Sequence, residues 1–553
     1  MVTDRKGNMV KEGTRIHCLT ICDIDTNKTY LFGPKSIKDG IEMLKEADLI
    51  VGHNILSFDL EMISRFYGKI NTPCVDTLLV SRMMYPDESI NPLPDKSHSL
   101  KSWGKYLGFE KMDYDGGWKE FSTEMLEYCE IDSMVTAKIF KYQEDFIKKN
   151  NNPVLLEMKV GEIISMQTSN GFGFDLDAAY DLEMQLLIDK SRIEDEMHRI
   201  FPDKVIERYS EKTGKRLKDK IEVFNPGSRQ QIASRLIEKY GWEPPLTEKG
   251  NYKVDESVLS ELDYPEAKIL MEYLYTIKLM SQVSDWVKRA EHSRDGRIHA
   301  FLNTLGTVTG RMSSNQPNIQ QVSKDKRARA LFVPRKNWKL VGADLKGLEL
   351  RMLAHYLAKY DNGSYAEIVV NGDVHTTNQN AMSLDTRDKA KTAIYCFLYG
   401  GGDEKFGKTI GCSTYKAKKT KESLLNNIPG LREVVNDCKF AASKNGFVRP
   451  FDWRDIPVRS NHAALNTLLQ SSGAHIAKAW TCFVHKKLTS LYPGKWAWVA
   501  NVHDEIQIEC APDICDEIGN ICLESAKLAG DMYKCRCLIE ADYSVGNNWA
   551  ETH

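Results

Sequence analysis

No stretch of this 553-residue chain is apolar for anything near the ~18 residues that a membrane-spanning helix needs. Met1 to Cys18 hold no apolar signal core, so nothing there predicts export. Net charge is almost absent: 75 Lys and Arg against 77 Asp and Glu give −2. That balance does not advertise nucleic acid, yet local basic surfaces can still bind it, because counterion release depends on which face is charged. Cys-x-x-Cys pairs are missing although thirteen cysteines are present. The closest spacings are Cys18/Cys22, Cys510/Cys515 and Cys535/Cys537. This predicts reduced thiols in a cytosolic protein, not zinc ligands or disulfides. Internal repeats and low-complexity tracts are also missing. What is present is a globular composition, 42% hydrophobic and 27% charged, at a length that suits two to four domains.

Along residues 1–150 short strands alternate with helices. "IHCLTICDI" and "ADLIVGHNIL" read as strands, "SIKDGIEMLKEA" and "STEMLEYCEIDSMVTAKIF" as helices, which predicts a helix-flanked sheet. "KKNNNPV", 148–154, reads as a linker. Long helical patterns follow over 155–200 and 255–290, separated by a polar, basic stretch at 201–225. A second basic stretch holds Lys405, Lys408, Lys416, Lys418, Lys419 and Lys421, and a third is "KDKRAR", 324–329. Taken singly, such runs suit a solvated face.

Two segments carry acidic residues where strands end. "WKLVGADLKGLELRMLAH", 338–355, predicts a strand ending at Asp344, a turn at Gly347 and a helix. "KWAWVANVHDEIQIEC", 495–510, predicts two strands meeting near His503. Carboxylates so placed can converge on divalent metal, where two ions activate an attacking hydroxyl and steady a leaving phosphate. Neighbours on a strand face opposite ways, so Asp504 is expected as a ligand and Glu505 as an outer contributor. In "TRDKAKTAIYCFLYGGG", 386–402, Arg387, Lys391, Tyr395 and Tyr399 recur every four residues and share one helix face. Cations near a helix start suit a triphosphate, and the aromatics further on suit sugar and base.

Together these three segments resemble motifs A, B and C of the DNA polymerase I family, family A, with the closest likeness to replicative polymerases of short-tailed bacteriophages. Motif A is Asp344-Leu-Lys-Gly-Leu-Glu349-Leu-Arg351. Motif B, R-x3-K-x3-[FY]-x3-YG, is met by Arg387, Lys391, Tyr395, Tyr399 and Gly400. Motif C is the HDE of 503–505. "TVTGRMSSNQPNIQQ", "NGDVHT" and "HAALNTLLQSSGA" match further family segments in the family's order.

The resemblance implies an α/β multidomain chain: a ribonuclease H-like 3′–5′ exonuclease-type domain at 1–150, then a right-hand polymerase domain at 151–553. Its thumb would span about 151–300, its palm about 301–372 with 471–553, and its fingers about 373–470. It implies a DNA-directed DNA polymerase with Asp344, Asp504 and Glu505 as catalytic residues. Two magnesium ions would sit on Asp344 and Asp504, with manganese able to substitute. Arg387, Lys391, Tyr395, His375, Glu349 and Leu345 would bind the incoming nucleotide. Arg311, Tyr399, Asn466, Gln470 and His503 would bind primer–template DNA. Arg311 and Gln470 would read the minor groove, whose acceptors vary little between correct pairs. The implied partners are DNA and deoxynucleotides, with no membrane, for a monomer in the host cytoplasm.

Two rivals are a single-subunit RNA polymerase and an inactive nucleic-acid-binding homologue. Glu349 and Tyr395 speak against the first, and the intact Asp344, Asp504, Arg387 and Lys391 against the second. A third, a stand-alone nuclease, leaves most of the chain unexplained. In the amino-terminal region Asn54, Asp59, Tyr128 and Asp132 match the exonuclease pattern. The family's opening D-x-E is not there: "MVTDRKGNMVKEG" offers Asp4 beside Arg5 and Lys6, and Asp23 and Asp25 come after the first strand. Weak or absent proofreading is therefore expected. The coliphage enzymes of this family dock thioredoxin on a long thumb insertion. Here only a short stretch separates "HRIFPDK" from "VFNPGSR", so thioredoxin is not expected to bind.

Overall fold

The computed structural model describes residues 13–109, 112–247 and 249–553, together with the paired backbones of Val2–Thr3 and Met9–Val10. The chain divides into two compact units, one of residues 1–172, 299–321 and 334–553, the other of 173–298 and 322–333.

In the first unit the predicted amino-terminal strands form as two small pairs. Leu19–Cys22 runs antiparallel to Thr29–Phe32, and Ile50–Gly52 runs parallel to Cys74–Asp76. Helices Ile37–Glu46, Asp59–Tyr67, Thr77–Met84 and Thr123–Lys149 flank them. Ile50, Leu56, Val80 and Met83 make one apolar core here, and Ile37, Ile41 and Ile63 another. Burial of each such side chain is worth about 1.5–3 kcal/mol.

The linker expected at 148–154 is not a linker. Helix Thr123–Lys149 stops, Asn150 alone leaves helical geometry (φ −116°, ψ 36°), and helix Asn151–Asn170 begins at once. The Asn150 side-chain amide donates to the Phe146 carbonyl at 2.9 Å, and Pro153 lies in the first turn, where its missing N–H costs nothing. Asn and Pro mark a helix junction rather than a flexible tether. By its contacts residues 151–172 belong to the first unit. Glu157 on this helix is fully buried and accepts from Lys478 at 2.7 and 2.8 Å and from Arg454 at 2.9 Å.

The centre of the first unit is a four-stranded antiparallel sheet in the order 496–502, 505–510, 339–345, 541–546. Helices Ala464–Leu491 and Cys515–Met532 pack together, and the second of them lies on the sheet. Its approach is close: a Cβ at Gly519 would lie 2.3 Å from the Tyr543 ring. The strand–turn–helix expected at 339–361 forms, with Gly347 at φ +50°, a left-handed backbone that favours glycine.

In the second unit helices Leu176–Ile200 and Pro265–His292 pack together around Ile193, Met197, Phe201, Phe224, Leu236 and Leu270. The basic stretch at 201–225 is a hairpin, Lys204–Tyr209 with Arg216–Glu222, and most of its residues are exposed. No helix among the described residues is long and apolar enough to cross a membrane.

Candidate active site

Strand 339–345 delivers Asp344 to one end of the sheet, directly opposite Glu505 on one neighbour and Asp542 on the other. The tight turn between strands 496–502 and 505–510 is made by His503, at φ +62°, and Asp504. The Leu345 N–H donates to the Asp504 carbonyl at 3.0 Å and ties this turn to strand 339–345. Burial, with Asp504 and Glu505 adding like charge, pushes Asp344 up to about 7. Burial and the Glu349 carboxylate push Asp504 up to about 6. Among the described residues neither Asp344 nor Asp504 has a cationic ion-pair partner. Paired oxygen donors held without an ion pair suit hard divalent cations.

Glu505 is different. It is buried, and both its oxygens are committed to Trp549, Gln507 and His553. Burial would push it up, but these hydrogen bonds hold it below the ordinary glutamate value. Trp549 and His553 escaped the sequence reading, since only tertiary structure brings 549–553 beneath 505–507.

Helix Arg387–Leu398 begins at the Thr386 cap. Arg387 Nε lies 2.9 Å from Asp373, whose carboxylate also caps helix Val374–Met382 through the N–H groups of His375 and Thr376. Arg387, followed by Thr376, holds Asp373 well below the usual carboxylate range. Lys391 is exposed and has no ion pair among the described residues. Burial, then Arg387 and Lys391, lower the His375 imidazole, whose Nδ1 is buried without a partner. These three predicted groups therefore come together.

Tyr395 and Tyr399 stack at 6.4 Å, with Tyr399 just past the helix end. The Tyr399 hydroxyl donates to Glu349 Oε1 at 2.8 Å, and Arg311 donates to the same oxygen at 3.1 Å. Burial, then Glu349 and Asp504, push Tyr395 up to about 12, so this helix adjoins the carboxylate pair. Burial and Arg311 lower His503. Asn466 and Gln470 are partly exposed, one turn apart on helix Ala464–Leu491. Among the described residues no hydrogen bond joins them to the cluster.

In the amino-terminal region, burial followed by Asp76 and Asp132 pushes Asp59 up to about 7. Tyr128 packs edgewise or tilted against Tyr114 and Trp118 at 5.6 and 5.9 Å. Asp76 accepts from the N–H groups of Asn54, Leu56 and Leu78 and so serves the backbone. Asp23 is spent on its own turn, accepting from Asp25 N–H at 3.0 Å and Thr26 N–H at 2.8 Å. Asp4 lies outside the described residues. Among the described residues no group of three or more His, Cys, Asp and Glu side chains is arranged to hold a metal ion.

The family model for DNA polymerase family A matches residues 201–551. The chain is 31% identical to the DNA-directed DNA polymerase of Escherichia phage T7, with all of both chains covered, and 30% identical to that of Enterobacteria phage T3, with 99% of each covered. DNA polymerase I of Aquifex aeolicus is 26% identical over 98% of this chain and 94% of its own. Among solved structures, the POL domain of Pol1 from M. smegmatis, in complex with DNA primer-template and dNTP, superposes with a TM-score of 0.79. It covers 95% of this chain and 92% of its own, at 18% identity, a likeness of fold. Motif order, the strand-end carboxylates and a match spanning more than half of the chain lead to one assignment: this chain belongs to DNA polymerase family A.

Proposed function

We propose that the chain is a template-directed DNA polymerase that adds deoxynucleotides to a primer 3′ end in phage DNA replication, in the host cytoplasm and as a monomer. The observation that carries this is the Asp344–Asp504 pair, in which burial and neighbouring carboxylates outweigh the charge of Arg311 and no ion pair forms among the described residues, adjoined by the helix that bears Arg387, Lys391 and Tyr395. Family A polymerases are divalent-metal dependent, and Asp344 and Asp504 would hold two magnesium ions, or manganese in their place. When bound, such ions activate the primer hydroxyl and stabilise the leaving pyrophosphate.

The chain's own residues do the rest. Lys391, His375 and Arg387 hold the triphosphate, Arg387 exchanging Asp373 for phosphate. Glu349 crowds the ribose 2′ position, which disfavours ribonucleotides and the RNA polymerase reading. Tyr399 places the templating base. Arg311 and Gln470 contact the minor groove, and Asn466 and His503 the duplex. The thumb, palm and fingers follow the 151–300, 301–372 with 471–553, and 373–470 divisions, with the helix at 151–170 joined to the palm. In primer extension with magnesium, Asp344→Asn and Asp504→Asn are each expected to lower turnover by ~10³-fold or more while DNA affinity, set by phosphate contacts elsewhere, stays near wild type. Near-normal turnover in either variant rejects the reading.

A further inference from the structure

Beneath Glu505 lies the segment Trp549–His553. Trp549 Nε1 donates to Glu505 Oε1 at 2.6 Å, Gln507 Nε2 donates to the same oxygen at 2.8 Å, and His553 Nδ1 lies 2.7 Å from Oε2. Thr552 is joined in turn: its hydroxyl donates to Gln507 Oε1 at 2.8 Å and its carbonyl accepts from Gln507 Nε2 at 3.3 Å. Trp549, Gln507, Glu505 and Thr552 are all buried, none more than 4% exposed.

The catalytic strand is shaped to this segment. A Cβ on Gly342 would lie 2.3 Å from the Thr552 carbonyl oxygen and 2.4 Å from Gln507 Nε2. The register sets Gly342 opposite Gln507 and Asp344 opposite Glu505. Alternate residues of a strand share a face, so 549–553 covers the face from which Asp344 projects. A segment needed only for packing would present apolar atoms. This one commits its indole N–H, its hydroxyl and its imidazole to one carboxylate and the amide beside it. The result is a carboxylate fixed next to Asp344, with both of its oxygens already accepting hydrogen bonds from this segment and Gln507.

We propose that Trp549, Thr552 and His553, together with Gln507, are positioning residues for the metal site. They hold the Glu505 carboxylate in a fixed position beside Asp344, which strengthens cation binding while leaving ligation to Asp344 and Asp504. This rests on the reading of those two aspartates as metal ligands.

Trp549→Phe keeps the ring and removes the donor, and Thr552→Val removes the hydroxyl while Thr552→Ser keeps it. The readouts are Mn2+ binding to the full chain, followed by the electron paramagnetic resonance of free Mn2+, and the Mg2+ half-saturation of single-nucleotide addition. Melting temperature serves as the control for folding. Trp549→Phe and Thr552→Val are expected to weaken Mn2+ binding about tenfold, the size usual for residues that orient metal ligands, with DNA affinity unchanged and Thr552→Ser near wild type. Trp549→Phe should add nothing in a Glu505→Gln background. Unchanged Mn2+ binding in folded Trp549→Phe and Thr552→Val, or an effect that adds to Glu505→Gln, overturns the proposal. Mn2+ binding that survives Asp344→Asn instead overturns the ligand reading beneath it.

Discussion

At Glu349 a single carboxylate oxygen accepts from both Tyr399 and Arg311, so one residue joins the predicted sugar-, template- and duplex-contacting groups. Tyr395, one helical turn before Tyr399, is half-buried and its hydroxyl has no hydrogen bond among the described residues. A phenol left open there can take the place of a missing sugar 3′ hydroxyl. Ready use of dideoxynucleotides is therefore expected. Tyr395→Phe should lower the dideoxy-to-deoxy incorporation ratio by a factor corresponding to about 1–3 kcal/mol, and an unchanged ratio rejects the role. The raised Asp344 makes a second prediction. Its folded value of about 7 lies above its unfolded value near 4, so the folded state binds more protons between those limits. Metal-free stability should then fall as pH rises from about 4 to about 7. Asp344→Asn, which cannot ionise, should melt higher than wild type at pH 8 without metal and lose that advantage near pH 4. A difference that does not change with pH would contradict the assignment.

At the scale of elements, period and turn chemistry were legible where the sequence is locally consistent. The strand–turn–helix through Asp344 and Gly347 and the helix through Arg387 and Tyr395 stand where their patterns put them. The 148–154 stretch misled because Asn and Pro have two uses, in loops and at helix ends, and composition does not separate them. Two partners of Glu505, Trp549 and His553, were illegible for another reason: they lie 44 and 48 residues further on, and no local pattern links them. In the exposed hairpin, pairing sorts the cations. Arg216 is neutralised by Glu207 at 3.3 Å and Asp219 at 3.1 Å, whereas Arg208, Lys212, Lys215, Lys218 and Lys220 have no ion pair among the described residues. Reversing the charge of Lys212, Lys215 and Lys218 should weaken DNA binding and flatten its salt dependence, while Arg216→Glu should matter less. Two short strands offer far less than the ~800 Å² per partner of a standard interface, so added thioredoxin should leave product length unchanged. A large increase would show that the hairpin, or another face, docks it.

Across the whole molecule, the amino-terminal region is expected to keep the fold elements of a nuclease without its full chemistry. Asp132 sits close enough to raise the cost of ionising Asp59, while Asp23 and Asp76 are engaged by backbone N–H groups. Cleavage in this fold needs four carboxylates around two metals, and each ~1.4 kcal/mol of lost transition-state stabilisation is tenfold in rate. Release of 3′ nucleotides from single-stranded DNA is therefore expected to match an Asp59→Ala/Asp132→Ala blank, with magnesium or manganese. Clear activity above that blank would mean that residues beyond this cluster complete the site.

The buried cluster of Glu157, Lys478 and Arg454, with Asp452 also paired to Arg454, bears on the history of the chain. Loss of any one partner leaves charge stranded in the interior at a cost of about 3–5 kcal/mol, whereas replacing all of them by well-packed apolar residues is often neutral. Drift therefore has no single-step exit from this arrangement. Glu157 lies 297 and 321 residues from Arg454 and Lys478, yet these positions and Asp452 are inherited as one character, and recombination that brings the helix at 151–170 from one lineage and the 452–478 segment from another is expected to fail unless both parents carry the same charges.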